Sequence, residues 1–88
     1  MKAIILYLYP DRKSTLIVKE NGEMSGSEDF VNNESCREYI LKRYRSLGKS
    51  FEEVWEKVEK HNNDEKLRKD PFFWDDPYVK LEVRELED

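Results

Sequence analysis

Apolar side chains crowd the start of the chain. Along an extended segment at residues 2–9, Ile4, Leu6 and Leu8 fall on one face and Ala3, Ile5, Tyr7 and Tyr9 on the other. A strand that is apolar on both faces predicts a central place in a sheet, with the tyrosine hydroxyls at its far end reaching water. Pro10-Asp11 carries turn chemistry, and the β-branched run Ser14-Thr15-Leu16-Ile17-Val18-Lys19 predicts a second strand that folds back as a hairpin.

Asn21-Gly22 then predicts a type I′ turn, because both residue types tolerate positive φ, and leaves room for a short third arm at residues 23–25. Gly26-Ser27-Glu28-Asp29 loosens the chain. Phe30 and Val31 are expected to pack ahead of any regular helix, since Asn32-Asn33 disfavour one running through this point.

Two helices are predicted next. Ser35-Cys36-Arg37-Glu38 reads as a capping box, followed by Cys36, Tyr39, Ile40, Tyr44 and Leu47 at helical spacing and by Gly48 at the position where a left-handed residue closes a helix. Ser50-Phe51-Glu52-Glu53 repeats the capping box, and Phe51, Val54, Trp55 and Val58 form a second apolar stripe. Glu52 and Glu53 complement the positive end of this helix dipole, and Lys60 and His61 lie near its negative end. Residues 64–69 suit a single helical turn before Asp70-Pro71 interrupts it. Val79, Leu81 and Val83 alternate with Lys80, Glu82 and Arg84, the pattern of a one-sided edge strand over residues 78–86.

These elements predict one α+β domain spanning residues 1–88 and built as ββααβ: a three-stranded sheet in the order 2-1-3, with a two-helix hairpin on one face. Two helices of similar length return the chain so that the last strand runs parallel to the first, which makes the sheet mixed. A reversal within residues 63–77 would make it antiparallel instead.

Composition changes the picture in two ways. Charged residues are 41% of the chain and hydrophobic ones 38%, a balance close to that of disordered proteins, but sixteen basic residues nearly offset twenty acidic ones and aromatics supply 12%. A folded domain with a densely charged shell follows. The net charge of −4 opposes general adhesion to duplex nucleic acid or to an anionic membrane. The opening apolar run is too short for a membrane span and lacks a small-residue cleavage site, and a single cysteine suits a reducing compartment, so a cytoplasmic protein is expected.

Candidate chemistry is sparse. Cys36 and His61 are the sole thiol and imidazole, with no third group at a supporting spacing, so neither a catalytic set nor a zinc site is expected. The three glycines form no phosphate-cradling loop, and no cofactor is expected. Glu52, Glu53, Glu56 and Glu59 read as the solvated face of a helix.

Two binding addresses remain. Between two prolines, residues 70–78 gather Phe72, Phe73, Trp74 and Tyr78 with Asp75 and Asp76; rings beside carboxylates can anchor a protein partner or fold under the loop as core. Together with Asp70 these carboxylates lack the glycine-assisted loop of a hard-cation site, and no metal is expected. The first helix carries Arg37, Lys42, Arg43 and Arg45, a set that can contact phosphates beside Tyr39 or Tyr44, or simply form a solvated face.

The expectation is therefore a non-enzymatic, acidic protein-binding module: an inhibitor or adaptor of a larger protein, of the anti-defence or immunity kind that small bacterial or phage proteins provide. The alternative is a homodimer, paired through the 78–86 edge strand, that binds a nucleotide or small ligand on the basic first helix.

Overall fold

The computed structural model describes residues 1–8, 13–63 and 78–86, the side chains of 61–63 excepted. The elements are β1 (Lys2–Leu8), β2 (Thr15–Lys19), β3 (Met24–Gly26), α1 (Glu28–Asn32), α2 (Glu34–Leu47), α3 (Phe51–Asn63) and β4 (Val79–Glu85). The α+β class stands. The predicted three strands and two helices become four and three among the described residues, with the sheet ordered β3-β2-β1-β4.

The segment that is apolar on both faces is indeed interior: β1 pairs with β2 from Ala3↔Lys19 to Tyr7↔Thr15 and with β4 from Lys2↔Glu85 to Leu8↔Val79. Every pairing is antiparallel. The predicted parallel last strand is thus corrected, and among the described residues the sheet is not mixed. The predicted 2-1-3 order survives as its β2-β1-β4 portion, with β4 at one edge and the added β3 at the other.

The added strand follows from the turn. Gly22 N–H donates to the Lys19 carbonyl at 3.0 Å, Glu23 N–H to Asn21 Oδ1 at 3.0 Å, and Lys19 N–H to the Glu23 carbonyl at 2.9 Å. Gly22 takes φ 94°. This is a three-residue hairpin loop with glycine in the left-handed region, in place of the predicted two-residue type I′ turn. The longer loop sets Val18 opposite Met24 and draws residues 24–26 into the ladder.

Ser27 explains why a helix starts where a loose segment was expected. Its hydroxyl accepts from the amides of Thr15 (3.0 Å) and Phe30 (3.4 Å) and donates to the Lys13 carbonyl at 2.6 Å. It therefore caps α1 and fastens it to the start of β2. Phe30 is buried against the core; Val31, expected beside it, is exposed. The cap of α2 is Asn33, whose Oδ1 accepts from Cys36 N–H at 3.1 Å, so this helix is capped two residues before the predicted Ser35.

The main core lies between one face of the sheet and the helices. Ile4, Leu6, Leu16, Val18, Val79 and Leu81 meet Phe30, Ile40, Tyr44, Leu47, Val54, Trp55 and Val58. Tyr39, predicted in the stripe of α2, is 43% exposed instead. On the opposite face of β1, Ala3, Ile5 and Tyr7 are also buried, and so is Lys80 of β4. Tyr7 is thus buried and not turned to water, Tyr9 lies outside the described residues, and β4 is not the one-sided strand its alternation suggested.

Candidate functional site

Helices α2 and α3 meet at a tight joint. Gly48 is extended (φ 178°, ψ 166°), so it does not close α2 as a left-handed residue. Close approach explains the glycine: a Cβ there would lie 2.8 Å from Glu53 Cβ and 3.2 Å from Val54 Cγ2. Ser50 Oγ accepts from Glu53 N–H at 3.3 Å as predicted, but the Glu53 carboxylate returns to the amide of Lys49 (2.9 Å) and not to that of Ser50. Lys57 reaches back from α3 to donate to the Leu47 carbonyl at the end of α2.

With α3 set by this joint, its first two turns face the end of the sheet where β1 begins. Phe51 and Trp55, one turn apart, stack at 6.0 Å between centroids with 26° between planes. The Trp55 indole N–H donates to Glu59 Oε2 at 2.9 Å, fixing the ring, and the Lys2 ammonium of β1 lies 5.0 Å from the ring centroid. The amide of Lys2 donates to Glu20 Oε1 at 3.0 Å, bringing in a fourth carboxylate from the β2–β3 turn. Together these groups line a groove of about 240 Å³ with Glu52 and Glu56 on its rim. It has an aromatic floor and four carboxylates against one ammonium.

The basic side is built differently. Arg37 Nη1 donates to the Val31 carbonyl at 2.7 Å and ties α2 to α1. Lys42 and Arg43, with Tyr39 and Ser46, line a depression of about 210 Å³, while Arg45 is outside its walls. The Nε and Nη2 atoms of Arg43 are buried. The four predicted basic residues therefore do not converge on one point. A third depression, lined by Glu53, Glu56, Lys57 and Lys60, is balanced in charge.

Of the predicted aromatic anchor, Phe72, Phe73, Trp74, Asp75 and Asp76 lie outside the described residues, and Tyr78 is 64% exposed at the entry to β4. Cys36 is half-buried in the first turn of α2, and the His61 side chain is outside the described set. Among the described residues no three of His, Cys, Asp and Glu gather as a metal site, and no helix is long and apolar enough to cross a membrane. Burial pushes the Tyr44 phenol above its ordinary value, and the Glu52 carboxylate across the helix joint adds to the shift.

The groove escaped the sequence reading, which took Glu52, Glu56 and Glu59 as a plain solvated face. The Phe51, Trp55 and Glu59 spacing of four residues was the available signal, since such residues share a helix face. Lys2 and Glu20 join them through tertiary contacts alone. Comparison with protein-family models, with curated proteins and with solved structures found no match.

Proposed function

We propose that this chain is a small acidic, non-catalytic protein-binding module that presents the α3 side of the domain to a larger protein, as an inhibitor or adaptor does. The observation that supports this reading is the Phe51–Trp55 groove with carboxylates on its rim. Large rings give contact area at low entropic cost, and rim charges orient the partner and speed its encounter. The aromatic segment 70–78 enters the same proposal as a second contact, on its composition. A cytoplasmic setting belongs to it too, on the lone cysteine.

The test is affinity capture from the host lysate, with and without nuclease, comparing Glu52→Lys/Glu56→Lys with Lys42→Glu/Arg45→Glu. All four positions are exposed, so the fold should tolerate both pairs. The proposal predicts a nuclease-resistant protein partner that the first pair releases and the second retains. A partner retained by the first pair, or lost to nuclease, would overturn it.

One observation favours a second reading. The depression lined by Tyr39, Lys42, Arg43 and Ser46 offers cations beside a ring, a combination suited to a nucleotide or another small anion. The dimer of this reading pairs through β4 at the end of the strand order, over residues 82–85, since Val79, Lys80 and Leu81 are buried. This reading predicts a thermal shift with a nucleotide panel and a dimer by light scattering; absence of both would remove it.

A further inference from the structure

The groove on α3 already holds a cation, and that cation belongs to the chain itself. The Lys2 ammonium lies over the Trp55 ring, whose plane is locked by the hydrogen bond to Glu59 and flanked by Phe51. An electron-rich ring face beside carboxylates attracts an alkyl ammonium through both the ring quadrupole and simple charge. With Lys2 in place, four carboxylates still face one ammonium, so the groove remains negative. Its volume of about 240 Å³ falls below the usual range of drug-sized ligand clefts, about 300–1,000 Å³, and suits a single long side chain.

We infer that the groove is a receptor for a lysine side chain presented by a partner protein, and that Lys2 is an internal stand-in which the partner's lysine displaces. This deepens the proposed function and rests on it, since it names the partner chemistry that the α3 side takes. The exchange is feasible because Lys2 is exposed and is held to the groove by its ammonium, while its backbone is fastened separately to Glu20 and within the β1–β4 ladder. Its side chain can swing out without unpairing the strand. Lys2 then competes with every incoming cation and weakens its apparent affinity by the strength of its own contact with the ring.

The test is a titration with tetralysine, followed through the indole N–H signal of Trp55 in the intact protein and distinguished from Trp74 by a Trp74→Phe background. The inference predicts a saturable shift at Trp55, affinity about fivefold tighter in Lys2→Ala, the equivalent of one exposed cation–π contact, and affinity weakened in Glu52→Gln/Glu56→Gln. Lys2→Met keeps an apolar cover over the indole while removing the rival charge, and reads the same gain should the alanine variant disturb β1. Absence of a Trp55 shift in the Lys2 variants, an equal shift with tetraglutamate, or indifference to the glutamine pair would each overturn it. Such a failure is separable from failure of the module reading: a captured protein that still depends on Glu52 and Glu56 would leave that reading intact and remove only the lysine receptor.

Discussion

Helices α2 and α3 are nearly equal in length and cover the same face of the sheet, yet they use charge in opposite ways. On α2 two of the four cations lean on the domain itself, Arg37 holding the carbonyl of Val31 and Arg43 having two guanidinium nitrogens buried, while Lys42 and Arg45 are exposed. On α3 two carboxylates have local work, Glu53 at the joint and Glu59 on the indole, while Glu52 and Glu56 stay on the rim of an aromatic groove. Each helix carries four charges of one sign against two of the other, so the size of the excess does not distinguish them. What matters is whether the charges converge beside a surface that can bury something.

The largest effect that separates the two sides comes from their core residues. Ile40→Ala on α2 should cost ~2–5 kcal/mol and Trp55→Ala on α3 ~3–5 kcal/mol in urea unfolding, because both side chains are buried in the shared core. Only the second change also removes the groove floor. A Trp55 variant that unfolds no more readily than wild type would show that the ring is not part of the core.

The joint is the next place to break the comparison. Gly48→Ala puts a Cβ against Glu53 Cβ, close to the helix backbone and unable to swing away, so α3 must shift relative to α2 at a cost of ~1–3 kcal/mol. Denaturant titration reads the loss, and displaced Trp55 signals report the shift. A smaller change at the same joint, Ser50→Ala, should cost about 1 kcal/mol through loss of the cap on Glu53 N–H.

The smallest effect is electrostatic coupling across the joint. Tyr44 has its phenol raised above the ordinary 10.0, first by burial and then by Glu52. The folded state therefore holds this proton more tightly than the unfolded chain does. The stabilisation is complete below pH 10.0 and is lost as pH rises from there through the folded value, because the unfolded tyrosine ionises first. Tyr44→Phe should flatten this part of the stability curve, and Glu52→Gln should flatten it slightly; an unchanged slope in Tyr44→Phe would assign it elsewhere.

What could be read from the sequence divides along physical lines. Period and burial pattern located β1, β2, α3 and β4, and the Ser50 cap, because these are local signals carried by consecutive residues. The direction of β4 was not legible, since it depends on how residues 63–77 return the chain. Strand β3 was half visible: Asn21-Gly22 announced a turn, but the three-residue loop that sets Val18 against Met24 is a matter of register. The Asn33 cap was hidden by the better-looking Ser35 box beside it. Lys80 was placed in water by alternation alone, which cannot show that the second face of a sheet is covered. The groove was the least legible feature, since Lys2, Glu20 and Trp55 meet only once the sheet and α3 are packed.

The central claim, that the α3 side is the partner-binding surface, is tested most directly by amide hydrogen exchange on the protein alone and in complex with its captured partner. The account predicts slowed exchange over residues 51–59 of α3, the start of β1 and the turn carrying Glu20, with α2 unchanged. Protection confined to the Tyr39–Ser46 side of α2 would contradict it.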